Sequence, residues 1–357
     1  MNRRAWLCRL FMLGLGHAVA APSRAPASDP TQVRRPLIVD ETWHDHQRQR
    51  PVPLRIRVPV AETSARLPVV LFSHGLGGSR LGGAVWGEHW AEHGYLVIHL
   101  QHPGSDESLW RDAPEVSPEP LRRRHGTRLR AAASAEQALA RIEDVRFVLD
   151  ELTRRQTTTS DGWERRADLT RVAMSGHSFG ARTATALAGE RFALVRERLE
   201  EPRFSAFIAF SPSSVPAPTQ PGSEAALRER YAAITRPFLA ITGRLDGDVL
   251  GNGATPENRA RVFDLLPGPE TYLANFEQGD HAVFGGGTRR EQAWMRAIGA
   301  LDALGTPPEA WEPIQSATAR ITTAFLDAYL KGDATARAWL TSDAPHRLGP
   351  ALEWRFK

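Results

Sequence analysis

Arg171-Val172-Ala173-Met174-Ser175-Gly176-His177-Ser178-Phe179-Gly180-Ala181 is the stretch that decides how this chain is read. An apolar strand, Arg171 to Met174, runs into Gly176-x-Ser178-x-Gly180, and a small-residue helix, Ala181 to Ala188, follows. Strand, sharp turn and helix are the context in which a G-x-S-x-G motif lifts a serine hydroxyl above a sheet. The glycines permit the turn, because a side chain at either place would crowd the strand or the helix.

Outward from that turn the pattern is short apolar runs separated by helical segments. The runs are Val69 to Phe72, Leu96 to Leu100, Val172 to Met174, Phe207 to Phe210, Phe238 to Thr242 and Tyr272 to Phe276. Near-continuous apolar strands of this kind are buried on both faces, as in parallel sheets. One helix is expected over Ala131 to Leu152, where Leu139, Ile142, Val145, Val148, Leu149 and Leu152 recur at helical spacing. Parallel strands need crossovers of about a dozen residues or more, so the expected fold is α/β, one doubly wound and mostly parallel sheet. Pro36 to Thr42 and Pro53 to Val60 alternate apolar and polar residues and read as antiparallel strands at its N-terminal edge. The tail from Ala310 to Leu340 reads as helices, with Ile321, Phe325, Tyr329 and Leu330 as an apolar stripe packed on the sheet.

Serine becomes a nucleophile only when a base removes its proton, so a histidine held by a carboxylate should follow Ser178, in the order Ser, Asp or Glu, His. His281, in Gly279-Asp280-His281 just after the last apolar run, is the candidate base; His346 lies beyond the C-terminal helices. Asp246, in Gly243-Arg244-Leu245-Asp246 past Phe238 to Thr242, is the preferred acid, with Asp248 the alternative; Asp280 reads as a loop-shaping residue. An oxyanion needs donors, and the backbone N–H groups of Phe179 and of Leu76, in Ser73-His74-Gly75-Leu76-Gly77-Gly78, are expected to supply them. His89 and His93 stand four apart on an expected helix, but Glu92 is out of place for a zinc hydrolase. His99 and His102 read as core or loop histidines near the active-site edge. No cofactor or metal is expected.

Phe72-Ser73-His74-Gly75-Leu76-Gly77 together with Gly176-His177-Ser178-Phe179-Gly180 resembles the platelet-activating-factor acetylhydrolase and dienelactone-hydrolase-like branch of the α/β-hydrolases, over roughly residues 35–335. The resemblance implies an α/β-hydrolase fold, esterase or lipase-type activity, a serine acyl-enzyme, and oxyanion donors at Leu76 and Phe179. Two departures stand beside it. Dienelactone hydrolases proper use a cysteine nucleophile. The acetylhydrolases carry their acid after the strand that follows the elbow, where this chain has Phe210-Ser211-Pro212-Ser213-Ser214 and no carboxylate. Amide or thioester cleavage, and a non-catalytic binding protein on the same fold, are the rival readings.

The 357 residues, 41% of them hydrophobic, suffice for a large core. Arg3 and Arg4, the apolar run Ala5 to Ala20 and the small-x-small Ala18-Val19-Ala20 read as a cleaved signal peptide over 1–20, with a flexible leader over 21–34 and a single domain over 35–357. Periplasmic or secreted localisation follows as an expectation, with no stable membrane span after cleavage. The one cysteine, Cys8, lies in that segment, which leaves no thiol for a disulfide or thiolate site in the mature chain. The net charge is +4 and lysine occurs only at 331 and 357. The basic stretch Arg122-Arg123-Arg124-His125 has no interleaved aromatics, so no nucleic-acid partner is expected. The expected partner is a small-molecule or lipid ester substrate. Segments 103–130 and 211–230 leave strand ends and are candidate lids.

Overall fold

The computed structural model describes residues 35–60, 65–111, 128–193, 195–214, 223–248, 253–287, 305–348 and 351–357. The expected signal peptide and leader, Arg122 to His125, and residues 112–127 and 215–222 of the two candidate lids lie outside these residues.

Nine strands form one sheet: β1 (Leu37–Asp45), β2 (Arg50–Val58), β3 (Leu67–Ser73), β4 (Leu96–Leu100), β5 (Ala167–His177), β6 (Phe204–Phe210), β7 (Phe238–Leu245), β8 (Thr271–Asp280) and β9 (Leu352–Phe356). Their spatial order is β1-β2-β4-β3-β5-β6-β7-β8-β9, with β4 through β8 mutually parallel. β1 and β2 are antiparallel, as their alternating sequence predicts, and β2 joins the sheet antiparallel to β4. This is the α/β-hydrolase fold. The sequence reading did not include β9, which closes the far edge antiparallel to β8. Its five residues, Leu-Glu-Trp-Arg-Phe, alternate too briefly to announce a strand without a partner.

Helices cover both faces. On one lie α2 (Ala135–Thr158), α3 (Phe179–Ala188), α4 (Glu224–Tyr231) and α5 (Pro256–Leu265); on the other lie α1 (Ala84–Glu92), α6 (Pro308–Leu330) and α7 (Ala334–Leu340). Local chemistry starts several of them: Ser134 accepts from the Gln137 N–H at the head of α2, and Thr255 accepts from that of Asn258 where Pro256 opens α5. The apolar stripe of α6 is buried at Ile321, Phe325 and Leu330, and the Tyr329 hydroxyl bonds that of Tyr272 on β8. On α2 the expected stripe is amended. Leu139 faces solvent at 37% exposure, while Arg141 and Asp144 are fully buried among Ile142, Val145 and Val148.

Register decides what comes together at the C-terminal edge of the sheet. Ser73 at the end of β3 pairs with Gly176 at the end of β5, and Leu245 of β7 pairs with Asp280 of β8. The loop after β3 therefore emerges beside the serine turn. The loops after β7 and β8 emerge beside each other.

Candidate active site

Ser178 caps α3 with φ 56° and ψ −111°, a left-handed backbone that L-residues adopt only under constraint. Its N–H donates to Phe210 O at the end of β6 (2.9 Å), which holds the turn from one side. On the other, a Cβ at Gly180 would collide with the carbonyl of Ser73, and one at Gly176 with the carbonyl of Gly180. Both glycines are thus required by close backbone approach. A side chain at Gly75 would press on His177 and Ser178, so the loop after β3 lies directly against the serine turn.

Asp246 is fully buried and takes His281 Nδ1–H on Oδ1 at 2.8 Å, with its other oxygen accepting the Thr242 hydroxyl at 2.9 Å. Burial works against the Asp246 charge. Arg259 and His281 outweigh it and hold the carboxyl below its ordinary range. Arg259, buried on α5, reaches Asp246 Oδ1 and O (both 2.9 Å), Ser211 O (2.9 Å) and Gly247 O (3.1 Å), so one guanidinium ties the acid to the ends of two strands. Asp248 accepts the Gly253 N–H at 2.6 Å. Asp280 shapes the histidine loop, its carboxylate accepting N–H bonds from Ala282, Val283 and Thr306.

The His281 side chain keeps 13% of its surface exposed. Its ring lies 4.6 Å from that of His177, the residue before Ser178, and His177 Nε2–H donates to His281 O at 2.9 Å. Burial, with His281 adjacent, pulls His177 down to about 3, so this ring is a neutral strut between the serine turn and the histidine loop. Trp86 braces that loop by donating to Phe284 O (3.1 Å) while stacking on Phe210. His177 and Arg259 were not singled out from the sequence. Their signals are slight: His177 stands inside the motif, and Arg259 is one arginine among many.

The N–H of Phe179 is the first of α3, one of the groups that helix geometry leaves without a helical acceptor. The N–H of Leu76 lies in the loop after β3, whose shape is set by Gly78 N–H to Gly75 O (3.1 Å) and Gly77 N–H to Ser105 O (2.9 Å). The described start of the first candidate lid, residues 103–111, packs on this loop: Ser105 and Asp106 are buried, and Gly78 bridges to Asp106. Behind the loop sits a sealed polar cluster, His74, His102, Arg141 and Asp144. His102 lies in it and His99 in the core, as loop and core histidines. Among the described residues no three His, Cys, Asp or Glu side chains gather as a metal site, and no helix is long and apolar enough to cross a membrane. The rings of His89 and His93 lie 4.2 Å apart, tilted by 32°. His346 lies in the 3-10 turn Pro345–Leu348, next to β9.

Comparison with known proteins agrees with the resemblance read from the motifs. Residues 52–158 match the family model for platelet-activating factor acetylhydrolase, isoform II, a family within the α/β-hydrolases. The match covers just under a third of the chain. It takes in the loop after β3 and all of α2, and ends before the serine turn. It supports an ester-hydrolysing function. No curated protein matches the chain.

Proposed function

We propose, on the premise of that family match, that this α/β-hydrolase cleaves carboxylic esters through a serine acyl-enzyme. The observation that carries the proposal is the buried Asp246 carboxylate bonded to Nδ1 of a partly exposed His281, whose ring neighbours the residue before a strained, turn-borne Ser178. With Nδ1–H committed to Asp246, Nε2 of a neutral His281 carries a lone pair and can act as base. Ser178 Oγ then attacks the ester carbonyl carbon while its proton passes to His281 Nε2. The Leu76 and Phe179 N–H groups face the negative charge that forms on the carbonyl oxygen. Collapse breaks the bond to the alcohol oxygen, which takes the proton from His281. Water, deprotonated by the same nitrogen, attacks the acyl carbon, and the acid leaves as the serine recovers its proton.

The Asp246 route also speaks to the substrate. The carboxylate comes from the loop after β7, whereas the acetylhydrolases carry theirs one strand earlier, so the proposal is esterase chemistry without commitment to their phospholipid. Export, proposed from residues 1–20, places that chemistry outside the cytoplasm. The test is hydrolysis of p-nitrophenyl esters of graded acyl length by wild type and Ser178→Ala. We expect a loss of roughly a thousandfold or more in the variant. Equal rates in the two proteins would refute the serine mechanism, and the chain-length profile would size the acyl pocket.

A further inference from the structure

We propose that Arg141 is a positioning residue of the oxyanion hole: from the buried side it aims the peptide bearing the Leu76 N–H and braces the residue bearing the Phe179 N–H. The proposal rests on the serine esterase reading above.

Arg141 projects from α2 with no exposed surface, so it cannot touch a substrate. Its guanidinium spends its hydrogens on the loop after β3 and on the segment that packs against it. Nη1 donates to His74 O at 2.5 Å and to Ser73 Oγ at 3.4 Å. Nη2 donates to Ser105 O at 3.1 Å and, at the limit of a hydrogen bond, to Gly75 O at 3.5 Å; Nε donates to Ser105 Oγ at 2.9 Å. The acceptors are hydroxyls and carbonyls, so the positive charge is held in place without a bonded carboxylate to cancel it. Burial pulls the guanidinium down to about 9, with Asp144 and Asp106 opposing, which leaves it cationic at neutral pH.

The Gly75 carbonyl and the Leu76 N–H are two ends of one peptide unit, and in a trans peptide they point in opposite directions. Gly75 O also accepts His74 Nδ1–H at 2.6 Å. His74 is in that tautomer because its Nε2 takes the His102 N–H at 3.0 Å, and burial keeps the ring neutral. With Gly75 O held by His74, by Arg141 and by the Gly78 N–H at 3.1 Å, the Leu76 N–H is turned outward. A peptide whose carbonyl accepts hydrogen bonds, one of them from a cation, is also the stronger donor at its N–H. The same guanidinium lies over the Phe179 ring at 4.4 Å from its centroid. One buried cation thus contacts both halves of the hole, and its field favours negative charge there before any substrate binds.

The experiment compares wild type, Arg141→Met and Arg141→Lys in kcat and KM for a p-nitrophenyl ester. It adds the affinity of a matched trifluoromethyl ketone, which becomes an oxyanion only on addition of Ser178. We expect Arg141→Met to lose about a hundredfold in kcat with KM changed less than about threefold, and the ketone to weaken by the same factor as kcat. Arg141→Lys, which keeps the charge but not the fork, is expected to lose about tenfold, and it decides the matter if the methionine variant does not fold. A folded variant with kcat within about threefold of wild type overturns the proposal. So does an equal weakening of KM and ketone affinity, which marks a merely structural role. Activity surviving in Ser178→Ala would instead overturn the esterase reading beneath it.

Discussion

Among the described residues, two aspartate–histidine pairs have the same hydrogen-bond form. In one, Asp246 accepts His281 Nδ1–H at 2.8 Å. In the other, Asp144 accepts His102 Nδ1–H at 3.0 Å, and His102 Nε2 in turn accepts the Ser73 hydroxyl at 2.9 Å. The second therefore has a continuous Ser–His–Asp chain, yet Ser73, His102 and Asp144 have no exposed surface. Nothing can reach its serine, whose oxygen faces the Arg141 guanidinium. Asp144 is also bonded to Arg48 and Arg50, which makes it a junction between the β1–β2 turn, the start of β2 and α2. The first pair keeps its imidazole partly exposed and beside a serine turn of strained backbone. A hydrogen-bonded triad is thus insufficient for a site; access and a serine held clear of the sheet make the difference.

Exchanging charge for amide at the two acids should separate the pairs most sharply. Asp246→Asn is expected to lower kcat by roughly ten-thousandfold with little change in thermal stability, because the amide no longer holds the required tautomer. Asp144→Asn is expected to act on the fold: it leaves Arg50 without its carboxylate, Arg48 with Asp45 alone and His102 without its acceptor, at about 3 kcal/mol or more, while Ser178 in the folded fraction still reacts with a serine-directed phosphonate. Kinetics, thermal melts and phosphonate labelling on both variants check this. If Asp144→Asn also abolished labelling in folded protein, the two pairs would not be functionally distinct.

Acid should sharpen the contrast by a smaller amount. Burial holds His102 below its ordinary value, Arg141 adding to that and Asp144 opposing it. The unfolded chain then binds a proton below about pH 6.5 that the fold refuses. Stability is full above that pH and declines as pH falls toward the depressed folded value, by about 1.4 kcal/mol per pH unit for each such group. His102→Asn is expected to flatten the stability–pH curve by one proton between about pH 6 and 5, read from denaturant midpoints. An unchanged slope would mean that His102 is charged in the fold. The smallest expected effect is at Asp248→Asn: a change in kcat of less than about threefold, since this carboxylate caps the Gly253 loop and the His281 bond belongs to Asp246.

Legibility followed the range of the interaction. The buried strands, the serine turn and the order Ser178, Asp246, His281 could be read because apolar runs, glycine placement and loop position are local properties. The choice between Asp246 and Asp248 could not be closed locally. Two residues of backbone direction, set by the pairing of β7 with β8 and by Arg259, separate a buried partner of His281 from a loop cap. Arg141 and Asp144 went unread for a different reason. Charged residues on a helix are expected to face water, which favours Leu139 for the interior; yet Arg141 shares its face with Val145, Val148 and Leu152 at helical spacing, and that spacing is the local sign of its burial.

By itself the sequence determined the layered α/β architecture, the strained serine turn and the kinds of residue available for acyl transfer, because these depend on side-chain period and on where glycine permits close approach. Tertiary structure alone decided which aspartate meets His281, which aspartate–histidine pair is partly exposed and which is sealed, and which arginine stands behind the loop after β3. The physical reason is that burial and hydrogen-bond partnership depend on strand register and on residues far apart in the chain.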